Sequence, residues 1–140
     1  MPVLKLPTVS AEPDSYFLPP EKLLAGNPRQ TVRMHYTDPT KQFFVGEWHS
    51  EVGKWRINYT EEEYCQMLEG VSVIADEQGH AVTVSAGDSF VIPRGFAGTW
   101  EVVEPTRKTF VIYESAVAVA VDPALALREP ATPATAAAFG

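Results

Sequence analysis

The sequence predicts an all-β domain, a sandwich or barrel of about eight short strands. Three observations lead there. Residues 42–115 are dense in Val, Ile, Thr and aromatic side chains, which suit a pleated, half-buried surface. Turn-forming residues interrupt them at short intervals. No segment keeps up a long helical period. The 140 residues suffice for one domain, and 45% hydrophobic with 21% charged residues is enough apolar material for one core.

Residues 1–20 are broken by Pro2, Pro7, Pro13, Pro19 and Pro20, so they predict an extended arm with at most edge-strand pieces. Pro20–Gly26 reads as one or two helical turns, with proline near its start, Glu21 in its first turn and Gly26 at its end. Thr31–Tyr36 reads as a strand. The dense region divides into Gln42–Trp48, Lys54–Tyr59, Tyr64–Leu68, Val71–Ala75, Ala81–Ser85, Ser89–Ile92, Thr99–Val103 and Lys108–Tyr113. Asp76-Glu77-Gln78-Gly79 predicts a hairpin loop, and Ala86-Gly87-Asp88 and Pro93-Arg94-Gly95 predict tight turns. After Val121 alanine and proline dominate. Apart from a helical turn over Ala124–Arg128, this stretch has too little bulk to bury. The predicted organisation is an N-terminal arm over 1–41, a barrel over 42–121 and a loose tail over 122–140.

Bulk properties exclude several functions. A net charge of −7 repels nucleic-acid phosphates and anionic lipid heads, so neither nucleic acid nor membrane is expected as a partner. No apolar run is long enough to span a bilayer. The N-terminus lacks the basic-then-apolar pattern of a signal peptide. Cys65 is the single cysteine and forms no internal disulfide, which fits a reducing compartment; a cytoplasmic location is expected.

Two stretches carry a family resemblance. They are Gly53–Gly70, with Glu63 and Gly70 in E-x6-G spacing, and Gly87–Val102, with Gly87 and Pro93 in G-x5-P spacing. These resemble the two motifs of the cupin superfamily, which implies an RmlC-like jelly-roll barrel, a double-stranded β-helix. Gly46-Glu47-Trp48, Glu63-Tyr64-Cys65, Leu68-Glu69-Gly70, Gly95–Val102 and Arg107-Lys108 also resemble the (S)-ureidoglycine aminohydrolase cupin domain family. Small stand-alone members of that family are mostly of unassigned activity, so the resemblance implies more about fold than about reaction. Cupins commonly pair through sheet edges and swapped N-terminal strands, so a homodimer is implied, with the arm and the strand near Thr31–Tyr36 contributing.

Metal cupins hold Mn, Fe, Ni or Zn with three inward histidines and one glutamate. Aligned on the motifs, the first histidine pair falls on Arg56 and Asn58, or on Ile57 and Tyr59 with the shorter spacing, and the third falls on Gly98. Only Glu63 remains. One carboxylate without imidazoles is a poor transition-metal site, so no metal cofactor is expected beyond a weakly held divalent ion.

Glu63 is the candidate general acid or base, or alternatively a ligand anchor or a structural ion-pair partner left from an ancestral metal site. A carboxylate inside an aromatic barrel calls for a raised pKa, or a partner such as Arg56, or both. Glu61 and Glu62 read as solvated turn residues. Trp100 shares a strand face with Gly98, and the glycine widens the cavity both would face. Arg56, Asn58, Tyr59, Gly98 and Trp100 are therefore the candidate ligand-binding residues around Glu63. Trp48, Trp55, Tyr64, Phe90, Phe96 and Tyr113 read mostly as core. His35, His49 and His80 read as surface or rim residues, with one sharper alternative: His49 meeting Glu63 at the barrel mouth. Cys65 reads as an inert buried thiol and Asp88 as a turn residue. The expected function is a small-molecule-binding cupin without the usual histidine ligands, serving as a metabolite-binding or accessory protein. The alternative is an enzyme acting on a ureido compound or sugar derivative through Glu63.

Overall fold

The computed structural model describes residues 1–6 and 12–115. Their strands are β1 (Asp14–Phe17), β2 (Leu23–Ala25), β3 (Arg29–Thr37), β4 (Phe43–Ser50), β5 (Gly53–Asn58), β6 (Glu62–Asp76), β7 (Ala81–Ser85), β8 (Ser89–Ile92) and β9 (Ala97–Tyr113). The predicted tail over 122–140 lies outside the described residues.

The two long strands organise the molecule. β6 and β9 pair antiparallel from Glu62↔Tyr113 to Asp76↔Gly98, with register shifts between Met67 and Ser72. On one side of those shifts, β9 also pairs with β4 and β6 with β8. On the other side, β9 pairs with β5 and β6 with β7. Each long strand therefore belongs to two sheets. The first sheet runs β1-β3-β4-β9-β6-β8 and the second β2-β5-β9-β6-β7. Together they form an all-β half-barrel, as the strand pattern predicts, of the jelly-roll kind that the family resemblance implies.

Three boundaries differ from expectation. Tyr64–Leu68 and Val71–Ala75 are one strand, as are Thr99–Val103 and Lys108–Tyr113. What reads as an interruption is a bend. Gly70 has φ +87° and lies so close to the Pro105 carbonyl that a Cβ would collide with it. The predicted helical turns shrink to a 3-10 turn over Pro20–Lys22, because Leu23 and Ala25 pair with Trp55 and Lys54 as β2. Within residues 1–41, the predicted strand near Thr31–Tyr36 is β3, which pairs along its length with β4, and β1 pairs with β3.

Alternation decides what faces the core. On β5, Trp55 and Ile57 are buried while Arg56 and Asn58 are exposed. On β6, Glu63, Cys65 and Met67 point inward while Glu62, Tyr64 and Gln66 point out. Trp48, Trp55 and Trp100 cluster edge to face, with ring centroids 5.3 and 6.1 Å from Trp48. Tyr64 and Tyr113, expected in the core, lie on the outer face. No helix among the described residues is long and apolar enough to cross a membrane.

Candidate functional site

The interior of the first sheet carries the unusual chemistry. Glu63 on β6 and Lys108 on β9 have no exposed surface. The Lys108 ammonium lies 3.3 Å from each oxygen of the Glu63 carboxylate. It also donates to Cys65 Sγ at 3.5 Å and stands over the rings of Trp100 and Trp48, at 4.3 and 4.8 Å from their centroids. Strand register explains the convergence. Lys108 is opposite Trp48 on β4 and Met67 on β6, and Cys65 and Glu63 follow Met67 on the same inward face.

Tyr59 closes the other side of the carboxylate, donating its hydroxyl to Glu63 Oε1 at 2.7 Å. Burial, then the Glu63 charge, pushes the Tyr59 phenol well above its ordinary pKa, so it remains a donor. Burial likewise raises the Cys65 thiol, with Glu63 adding to the rise and Lys108 opposing it. Burial thus favours the neutral thiol at Cys65, in line with its reading as an inert buried cysteine. Tyr16 on β1 is half-buried at this rim. Burial raises its pKa as well, while a hydrogen bond with Trp48 opposes the rise.

The surrounding polar atoms are largely satisfied. Trp48 Nε1 donates to Gln30 Oε1 at 2.7 Å, and Gln30 Nε2 donates to Ser50 Oγ. Trp100 Nε1 donates to Ser72 Oγ at 3.1 Å, and the Ser72 hydroxyl bonds that of Thr106. These bonds hold both indole faces toward the ammonium.

Sequence reasoning placed Glu63, Tyr59 and Trp100 inside, and there they meet in one cluster. It missed Lys108, the true partner of Glu63. Four expectations need correction. Arg56 and Asn58 point away from the cluster, and Arg56 Nη1 donates to the Glu21 carbonyl at 3.4 Å, so the inward pair of the two possible spacings is Ile57 and Tyr59. Gly98 does not widen a cavity: its missing Cβ would strike the Ala75 carbonyl, so the glycine admits the β6 backbone. His35, expected at the surface, is buried, whereas His49 lies on the outer face of β4 as its surface reading has it, away from Glu63. Glu61, expected in solvent, is fully buried. His80 is exposed in its hairpin and pairs with Asp76, as its turn position suggests.

The donor set does not fit a transition metal. The one inward carboxylate is engaged by an ammonium on both oxygens, and the nearby phenol and thiol are held neutral. Among the described residues no group of three His, Cys, Asp or Glu side chains is placed to hold a metal ion. Two concavities lie on outer faces. One of about 340 Å³ is lined by Thr31, Arg33, Glu47, His49, Glu69 and Arg107 among others. The other lies between Leu4 and Leu6 of the N-terminal segment and Tyr36, Phe43 and Val45.

Two sheets joined by bent shared strands, with a glutamate of the first motif turned inward, define a cupin. The sequence profile of the EutQ-like cupin domain matches residues 37–110, and the chain belongs to that family. No curated protein matches the chain. A Pseudomonas syringae pv. tomato protein of unknown function from the DUF861 family is similar in structure at a TM-score of 0.67 and 20% identity. The match covers 74% of this chain and 45% of that one, so this chain spans less than half the length of that relative. The Clostridium difficile EutQ protein matches at a TM-score of 0.60 and 18% identity, over 82% of this chain and 88% of that one. An ectoine synthase from P. lautus matches at 0.54 and 15%, over 60% and 63%. At these identities the likeness is one of fold.

Proposed function

We propose that the chain is a metal-independent cupin that binds a small polar metabolite, with Glu63 and Lys108 as its charged anchor. One observation carries this reading: a carboxylate and an ammonium, both fully buried, meet between two indole faces at the heart of the fold. Replacing a buried ion pair by packed apolar residues often leaves a protein as stable or more so, so stability alone does not account for such a pair. A ligand that displaces the contact between the two would meet a cation for its own carboxylate or carbonyl oxygen and an acceptor for its N–H or O–H groups. A cytoplasmic homodimer, contributing β1 and β3 to its contact, completes the proposal. Light scattering that shows a monomer at micromolar concentration would remove the dimer.

The experiment is native mass spectrometry of protein purified without chelator or immobilised nickel. The expected result is an organic adduct in place of stoichiometric metal. Glu63→Gln keeps the shape and removes the charge, so it should weaken adduct binding by roughly 10- to 100-fold, the worth of one charged hydrogen bond. Near-stoichiometric Mn, Fe, Ni or Zn that disappears in Glu63→Ala would reverse the metal-independent reading.

The resemblance to the (S)-ureidoglycine aminohydrolase cupin domain supports a second reading, an enzyme on a small ureido compound or sugar derivative. The favouring observation is the 2.7 Å hydrogen bond by which the Tyr59 hydroxyl orients the Glu63 carboxylate, the group that would act as acid or base. Turnover of such a compound, lost in both Glu63→Gln and Tyr59→Phe, would choose this reading over simple binding.

A further inference from the structure

The fold family implies a cation on the inward glutamate, and the donor set here does not fit a metal, yet the position beside Glu63 is not without a cation. We propose that Lys108 is the resident cation of the barrel, and that cutting its side chain back leaves a cage that binds a small primary alkylammonium ion. The proposal does not depend on a metabolite binding to the native protein.

The geometry accounts for each bond of the ammonium. A lysine head has three N–H donors and no acceptor. Here its acceptors are Glu63 Oε1, Glu63 Oε2 and Cys65 Sγ, at 3.3, 3.3 and 3.5 Å. The indoles of Trp100 and Trp48 supply negative ring faces at 4.3 and 4.8 Å. Both indoles are fixed by hydrogen bonds to buried Ser72 and Gln30, so the cage does not depend on the lysine for its walls. Tyr59 fixes the carboxylate from the far side.

The lining also sets the class of ion. One carboxylate, one neutral thiol and two aromatic faces match an organic ammonium, the combination that recognises amine ligands elsewhere. A divalent ion would need several oxygen or imidazole ligands, and the cage has a single carboxylate. In Lys108→Ala the missing atoms are three carbons and the ammonium nitrogen. The matching probe is therefore the n-propylammonium ion, with n-propanol as the neutral control.

The test is thermal unfolding of the full chain as wild type, Lys108→Ala, Lys108→Met, Glu63→Gln/Lys108→Ala and Glu63→Gln/Lys108→Met. Leaving Glu63 buried without its partner should lower the melting temperature of either single variant by roughly 10–20 °C. n-Propylammonium chloride should raise the melting temperature of Lys108→Ala in a saturable manner, as expected for a ligand that binds the folded state. It should leave wild type and Glu63→Gln/Lys108→Ala unmoved, and n-propanol should move none of them. If Lys108→Ala does not fold, the methionine pair decides. Glu63→Gln/Lys108→Met, with no charge to satisfy, should melt well above Lys108→Met. The proposal is overturned if Lys108→Ala melts like wild type, if propylammonium moves wild type equally, or if the double methionine variant is no better than the single. A larger rise of Lys108→Ala with Zn²⁺ or Mn²⁺ than with propylammonium would overturn the assignment of ligand class.

Discussion

Glu61 lies one residue before β6 and has no exposed surface, although Glu62 beside it faces solvent. Its Oε1 accepts from the Thr60 N–H at 2.9 Å, and the Thr60 hydroxyl also reaches Glu114 at 3.2 Å. Burial, then the charge and hydrogen bond of Glu114, pushes the Glu61 pKa up to about 8. Between the ordinary carboxylate range and about pH 8, folded Glu61 keeps a proton that the unfolded chain has released. Its contribution to stability therefore falls as pH rises through that window, by at most about 1.4 kcal/mol per pH unit. Glu61→Gln should gain on wild type steadily from pH 5 to 8 and hold a constant advantage above; urea melts at several pH values would show it, and a flat difference would discard the buried-acid assignment. The sequence could not reveal this pair, because Glu61 and Glu114 are 53 positions apart and meet only when β9 closes on the start of β6. Lys108 was hidden for the same reason. Its identity was plain, but a lysine reads as surface until Trp48 and Glu63 are known to flank it.

At the scale of the strands, most of the fold was legible, since β7 and β8 run over the predicted Ala81–Ser85 and Ser89–Ile92, motif alignment put Glu63 inside and alternation put Trp100 there. Two things were not. A register one residue off exchanges the faces of a strand, and motif spacing alone left β5 ambiguous between Arg56/Asn58 and Ile57/Tyr59. The glycines were also ambiguous, because Gly98 reads equally as a vacated ligand position or as a point of close backbone approach. The structure chooses the second, with Gly98 paired to Asp76 and its inner side filled by Ala75. Gly98→Ala should therefore destabilise by about 2 kcal/mol or more, as overpacking against backbone does, with little change in the slope of a urea melt. Arg56→Ala, on the outer face, should stay within about 0.5 kcal/mol of wild type. A neutral Gly98→Ala, or a large loss in Arg56→Ala, would contradict these two placements.

At the scale of the whole molecule, the two sheets share strands as well as a core. β6 and β9 pass through both, so neither sheet can detach without breaking hydrogen bonds within the other. The tryptophans repeat the pattern: Trp48 belongs to the first sheet, Trp55 and Trp100 to the second, and their rings touch across the interior. A single cooperative unfolding transition is expected, because partial unfolding would expose this shared core while still holding the backbone order of the long strands. Far-ultraviolet dichroism follows the strands, and tryptophan fluorescence follows the packing between the sheets. The two signals should give the same midpoint in urea and the same slope. Gly70→Val supplies the sharper form of the test. It places a side chain against Pro105 at the bend and forces a residue with φ +87° into a region hostile to branched side chains. It should shift both signals together by at least about 2 kcal/mol, because the bend is common to both sheets. If the fluorescence transition moved while the dichroism transition stayed, the sheets would be separable units, and the reading of β6 and β9 as the link between them would fail.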